Sequence, residues 1–221
     1  MREDNRGKRK KDFWYKEMTK AMTVVYRVED GLYINLTNRC TNLCEFCIRK
    51  NGDGAYGTDS LWLVREPTVD EVIEAVKGEN SLYDEIVFCG YGEPTVRLDD
   101  MLEVAKRIKE INPKMKIRVN TNGHSSLIFG YDTAPKFSGL IDAVSISLNA
   151  PTAEKYTSLC NPKFGEAGFH GMLEFAKNVK KYVQNTAFSV VKDFLSDEEL
   201  SECRRIAEEC GVALRVRDYI S

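Results

Sequence analysis

Cys40, Cys44 and Cys47 fall within the run RCTNLCEFCIRK (39–50), with no fourth cysteine nearby. Thiolates are ligands for soft metals, and a structural zinc site closes with four protein ligands. A fourth would have to arrive by folding, from His124 or His170. Three thiolates can instead hold three irons of a four-iron cluster and leave the last iron open to a small molecule.

Either chemistry needs a scaffold that holds the loop, and short β-rich runs alternate with helical patterns from residue 31 onward. LYINLTN (32–38), EIVFCG (85–90), KIRVNTNG (116–123), AVSISLNA (143–150), TAFSVVKDF (186–194) and ALRVRDY (213–219) read as six strands. A helix is predicted from Pro67 to Gly78, where Thr68 and Glu71 are spaced as a capping box. Others are predicted over 99–111, 165–183 and 196–210. Such alternation implies parallel strands joined by right-handed crossovers. Six strands are too few for a closed eight-stranded barrel, so an open partial barrel or a doubly wound sheet is expected. Either α/β architecture places its site at the carboxyl ends of the strands, where the cysteine loop follows the first of them.

A chain of 221 residues, 43% hydrophobic and 30% charged, can bury one substantial core. The net charge of −2 gives no global reason to expect a nucleic-acid or membrane surface as the main partner. No apolar run approaches the ~18 residues of a membrane span. The polar start lacks the core of a signal peptide, so a cytoplasmic protein with reduced or metal-bound cysteines is expected. Residues 1–22 contain RGKRKK and FWY (13–15) and read as a solvated tail, or as a local contact for nucleic acid; residues 23–221 read as a single core domain.

The spacing C-x3-C-x2-C, with Phe46 immediately before Cys47, resembles the cluster loop of the radical S-adenosylmethionine (SAM) superfamily. GYGEP (90–94) resembles the family's Gly-Gly-Glu element, here interrupted by Tyr91. LYINLTNRC, FCGYGEP and VSISLNAP are most similar to the small TatD-linked radical SAM proteins. The resemblance implies a six-stranded open partial (β/α)6 barrel that holds one [4Fe-4S] cluster on Cys40, Cys44 and Cys47. It also implies that SAM chelates the open iron, with Phe46 near the adenine and Gly90, Tyr91, Gly92 and Glu93 at the SAM amino group. Ser147 and Asn149 would map onto ribose-contacting positions. By the same resemblance, an external one-electron donor such as flavodoxin or ferredoxin reduces the cluster. SAM is then cleaved to methionine and a 5′-deoxyadenosyl radical, which removes hydrogen from a substrate. An activase acting on a partner protein and a zinc-stabilised nucleic-acid-binding module are the competing readings.

Side chains alternate across a strand. Arg118, Asn120 and Asn122 oppose Ile117 and Val119; Ser145, Ser147 and Asn149 oppose Val144, Ile146 and Leu148; Arg215 and Arg217 share the polar parity of the last strand. The apolar set is expected to meet the helices and the polar set to line the lumen, where Asn120, Asn122, Arg118, Arg215 and Arg217 would meet a polar, anionic small-molecule substrate. The alternative is that the polar set marks exposed strand ends.

The remaining features carry less. GDGAYG (52–57) has the dinucleotide-binding glycine spacing but follows no strand, and 51–66 reads as an active-site loop or a plain surface connection. Cys203 and Cys210 share an apolar helix face with Leu200 and Ala207 and read as core. Cys89 and Cys160 are read as packed thiols, with hydrogen-atom donation to a substrate radical as the alternative. His124 follows the TNG turn and is expected on an exposed loop, with reach into the site as the alternative.

Overall fold

The structure, a computed structural model, describes residues 22–79 and 82–219. The tail expected over 1–22 lies outside them, except for Met22, which packs against the core. Strand β1 (Val25–Val28) turns through Glu29 and Asp30 into β2 (Gly31–Ile34), and the two pair antiparallel with Val28 opposite Gly31. Glu29 adopts the left-handed conformation of a tight hairpin, with φ 51°. This strand was not expected from the sequence, because VYRV is only four residues long and directly follows the tail.

From β2 onward every pairing is parallel, and the helices lie between successive strands. Helix α1 (Val69–Gly78) precedes β3 (Glu85–Phe88), and α2 (Leu98–Ile111) precedes β4 (Lys116–Thr121). Helix α3 (Ser125–Phe129) precedes β5 (Ala143–Ser147), and both α4 (Ala153–Cys160) and α5 (Glu166–Val179) precede β6 (Asn185–Val191). Helix α6 (Asp197–Cys210) leads into β7 (Ala213–Arg217). The sheet runs β1 to β7 in chain order, leaving β1 and β7 as edges. This is the expected open α/β sheet of six parallel strands, extended by one antiparallel strand.

Local chemistry sets the helix boundaries. Thr68 Oγ1 accepts the N–H of Glu71 at 3.2 Å, and Glu71 Oε2 accepts the N–H of Thr68 at 2.8 Å, completing the expected capping box of α1. Ser196 and Glu199 repeat the device on α6, which ends at Gly211 in the left-handed conformation, φ 67°.

One strand parity forms the core. Leu32, Ile34, Ile86, Phe88, Ile117, Val119, Val144, Ile146, Phe188 and Val190 are each 1% exposed or less and belong to one apolar cluster with the helices. Each such burial contributes about 1.5–3 kcal/mol. Cys203 and Cys210 are buried in the same cluster, as their helical spacing implied. The opposite parity carries Tyr33, Val87, Arg118, Asn120, Ser145, Ser147 and Ser189, so the lumen face is largely polar.

Candidate active site

The cysteine loop leaves the carboxyl end of β2 and is clasped by elements far along the chain. Main-chain N–H groups of Leu43 and Glu45, on either side of Cys44, donate to the carbonyls of Cys160 and Leu159 at the end of α4, both at 2.9 Å. The N–H of Lys163 donates to Thr41 O at 2.7 Å, and Glu93 N–H to Arg39 O at 2.8 Å. Arg49 reaches the carbonyls of Asn38, Asn42 and Tyr91 at 3.4 Å. All three loop cysteines are half-buried.

Behind the loop stands a polar network. Asn122 Nδ2 donates to Thr41 Oγ1 at 2.8 Å and lies 3.8 Å from Cys40 Sγ, which also accepts the N–H of Asn42 at 3.4 Å. His124 bridges Thr41 Oγ1 through Nδ1 (2.9 Å) and the Tyr156 hydroxyl through Nε2 (3.1 Å), and Asn42 Nδ2 donates to the same hydroxyl at 3.0 Å. His124 is wholly buried, contrary to the exposed position expected from its loop context, and burial lowers its pKa to about 4. Tyr156 and Asn42 carry no local sequence signal; the only hint at His124 is its place directly after the strand end TNG.

The electrostatics of the thiols differ. Burial, reinforced by the Glu93 carboxylate, pushes Cys40 up to about 12, so a bare thiolate is disfavoured there and a bound cation would be needed to ionise it. A hydrogen bond from the Cys160 thiol lowers Cys44, and the same bond raises Cys160. Among the described residues no three His, Cys, Asp or Glu side chains are arranged around one point to hold a single metal ion. His170 is exposed on α5 and both ring nitrogens of His124 are engaged, so neither histidine completes a zinc site. Cluster ligands each bind a different iron and need not converge on one ion.

The segment Gly90–Pro94 lies against the loop so tightly that side chains are excluded. A Cβ on Gly90 would stand 2.2 Å from Asn35 Oδ1, and one on Gly92 would stand 2.2 Å from Thr37 O. Tyr91 turns its side chain away into the 51–66 loop: its hydroxyl donates to Gly52 O at 2.8 Å and its ring meets Trp62 edge-on at 5.1 Å. That loop is folded onto the domain by the buried Leu61 and Leu63 and by Asn35 Nδ2, which donates to Leu61 O at 2.7 Å.

Glu93 is 4% exposed. Its Oε1 accepts from Thr95 N (3.0 Å), Thr95 Oγ1 (2.6 Å) and Thr121 Oγ1 (2.7 Å), and its Oε2 accepts from Asn122 N (2.7 Å). One acceptor position remains, on Oε2. Burial raises its pKa, and it forms no ion pair among the described residues.

Phe46 is buried and packs on Phe194 at 5.0 Å, which meets Tyr219 at 5.5 Å; the Tyr219 hydroxyl donates to Asn51 Oδ1 at 3.0 Å. Ser147 is half-buried at the end of β5. Just beyond it, Asn149 is 3% exposed and held at φ 58°. Its Nδ2 lies 3.8 Å from Cys160 Sγ, whereas its Oδ1 has no hydrogen-bond partner.

The three arginines of the lumen parity separate. Arg118 forms a two-pronged pair with Glu85 and also donates to Asn120 Oδ1 at 3.0 Å, so its charge is answered within the chain. Arg215 is exposed and lines a cavity of about 500 Å³ at the amino-terminal mouth, beside Gly31, Glu85 and Lys116, the first residues of their strands. Arg217 is half-buried, acts electrostatically on Cys89 and Tyr56, and has no ion pair among the described residues.

Comparison with known proteins agrees with this geometry. The model of the Radical SAM superfamily matches residues 34–207. GTP 3′,8-cyclase of Aquifex aeolicus is 28% identical over 191 residues, 86% of this chain and 56% of that protein. GTP 3′,8-cyclase of Limosilactobacillus fermentum is 30% identical over 142 residues, 64% of this chain and 40% of that protein. The chain thus spans about half or less of the length of these relatives. Among solved structures, a radical SAM methyltransferase from Sphaerobacter thermophilus superposes with a TM-score of 0.59 at 17% identity, covering 87% of this chain and 57% of that one. HydG, a maturase of the [FeFe]-hydrogenase, gives 0.55 at 15% identity, covering 86% and 42%. Both likenesses are of fold.

Proposed function

The chain belongs to the radical SAM superfamily, and on that premise we propose that it is an enzyme using one [4Fe-4S] cluster on Cys40, Cys44 and Cys47, and SAM, to abstract hydrogen from a polar, anionic substrate. Members of the superfamily bind both cofactors and need an external electron donor. The residues present fit those groups. Three half-buried thiols stand on a clasped loop. The observation that carries the reading is Glu93: a buried carboxylate among four hydrogen-bond contacts, with a vacant acceptor position and no cationic partner among the described residues, suits the ammonium of SAM. Asn149 Oδ1, buried and unpartnered, suits a ribose hydroxyl.

When bound, the cofactors supply one-electron reductive cleavage of SAM and a carbon radical that takes a hydrogen atom from the substrate. The chain does the rest. Gly90 and Gly92 keep space for close main-chain approach, and Tyr91 contributes through its backbone while its side chain anchors the 51–66 loop. Phe46 offers a ring at the loop, and Ser147 a hydroxyl beside Asn149. Asn122 steadies Cys40, and Asn120 is held by Arg118. Arg217, whose charge has no partner among the described residues, anchors the anionic group of the substrate; Arg118 and Arg215 play no direct part. The resemblance of FCGYGEP and VSISLNAP to the TatD-linked group supports reading the protein as a member of that group, working in the cytoplasm with a flavodoxin or ferredoxin as its electron donor. No helix among the described residues is long and apolar enough to cross a membrane.

Anaerobic reconstitution followed by reduction with dithionite in the presence of SAM tests the reading. Four irons and four sulfides per chain and formation of 5′-deoxyadenosine support it; stoichiometric zinc without iron from anaerobic cells refutes it.

A further inference from the structure

Asn122 is the first residue beyond β4, and its surroundings fix which way its side-chain amide points. Its Oδ1 accepts the main-chain N–H of His124 at 3.1 Å, so Nδ2 is the end turned to the cysteine loop. One Nδ2 hydrogen goes to Thr41 Oγ1 at 2.8 Å, and the other meets Cys40 Sγ at 3.8 Å, within the longer reach of a sulfur acceptor. The residue cannot swing away: it is 6% exposed, and its own main-chain N–H donates to Glu93 Oε2 at 2.7 Å. Thr41 is held in turn by His124 Nδ1 at 2.9 Å. The main-chain N–H of Asn42 reaches the same sulfur at 3.4 Å. Two N–H groups therefore converge on Cys40 Sγ, one from the loop itself and one from a residue 82 positions further along the chain.

We propose that Asn122 is a positioning residue whose side-chain N–H, donated to the Cys40 sulfur, raises the reduction potential of the cluster held by the loop. This rests on Cys40 being a cluster ligand, as proposed above. A reduced cluster holds one more negative charge than an oxidised one, so an N–H dipole aimed at a ligand sulfur stabilises the reduced form more. No covalent bond changes: one electron arrives from the external donor, and the amide keeps both its protons. The Asn42 N–H belongs to the backbone and persists in any side-chain variant, which leaves Asn122 as the contact that substitution can remove.

Reconstituted wild type, Asn122→Leu and Asn122→Asp are titrated potentiometrically at neutral pH while the EPR signal of the reduced cluster is followed. Leucine has the shape of asparagine without its donors, whereas aspartate keeps an acceptor for the His124 N–H and turns a negative oxygen towards the sulfur. The leucine variant is expected to disfavour reduction by about threefold, a fall of about 28 mV for a one-electron couple, and the aspartate variant by about tenfold, about 59 mV. A merely structural loss would not sort the variants by the charge at one point. Equal potentials in all three proteins, or an aspartate variant no lower than the leucine variant, overturn the inference and leave the cluster reading intact. Should neither variant take up iron, the wild type decides: isotopically labelled at the asparagine side-chain nitrogen, it is expected to show a nitrogen coupling to the reduced cluster in pulsed EPR, and absence of that coupling overturns the inference. A wild type that takes up no cluster removes both readings.

Discussion

The Oε2 oxygen of Glu93 accepts the main-chain N–H of Asn122 across 2.7 Å, joining the end of the glycine segment to the end of β4. Asn122 in turn reaches Cys40 and Thr41, so a single buried carboxylate supports both the glycine segment and the cysteine loop.

Glu93→Gln is therefore expected to do two things. An amide NH2 in place of one oxygen meets an N–H or hydroxyl donor, and an unsatisfied buried donor costs about 1–3 kcal/mol, visible in urea melts. Loss of the charge should also weaken SAM binding by roughly tenfold to a hundredfold in a calorimetric titration. Unchanged SAM affinity in the folded variant would remove Glu93 from the SAM site.

On the proposed ligand set, replacing Cys40, Cys44 or Cys47 by Ala should each abolish the four-iron cluster, because each thiolate would hold its own iron. Cys203→Ala, buried in α6, should keep full iron and lose only packing. Iron and sulfide analysis decides, and a full cluster in any of the three loop variants contradicts the ligand set.

Gly92→Ala should cripple the site without touching a functional side chain. The added methyl would meet Thr37 O and Arg39 O at 2.2 and 2.6 Å, both main-chain atoms that cannot step aside cheaply. Overpacking of this kind costs about 1–3 kcal/mol. Lower thermal stability and poor cluster uptake are expected together; wild-type values for both would show that the loop can yield.

His124 makes stability pH-dependent with a definite sign. Its pKa falls from the model-compound value of 6.5 to about 4 on folding, so between those values the unfolded chain binds more protons than the folded one. Its contribution is intact above pH 6.5 and lost as pH falls towards 4. The gap corresponds to about 3 kcal/mol. Urea melts at several pH values should show this slope, and His124→Asn should flatten it; identical slopes would mean that other groups carry the dependence.

Much of the scaffold was legible because its signals are local. The Thr68–Glu71 capping box, the alternating parity of KIRVN and AVSIS, and the cysteine spacing need no knowledge of distant residues. The missed pieces were short or long-range. VYRV is too brief to stand out, and AEKYTSLC makes barely two helical turns with strand-favouring Tyr and Thr inside. Parity put Arg118 on the lumen face, but its partner Glu85 lies 33 residues away and no pattern announces the pair. The burial of His124 depends on Tyr156, 32 residues further on.

The clasp on the cysteine loop has a consequence for the order of events during synthesis. Residues 40–47 leave the ribosome more than a hundred residues ahead of Leu159 and Cys160, whose carbonyls grip them. At about 5–20 residues per second, the growing chain carries Cys40, Cys44 and Cys47 unclasped for roughly 6–23 s. During that interval the thiols are open to oxidation and to stray metal ions, and the contact that orders them does not yet exist. Loading with iron and sulfur therefore belongs after α4 has docked, and the tyrosine at 219 that bonds to Asn51 arrives later still.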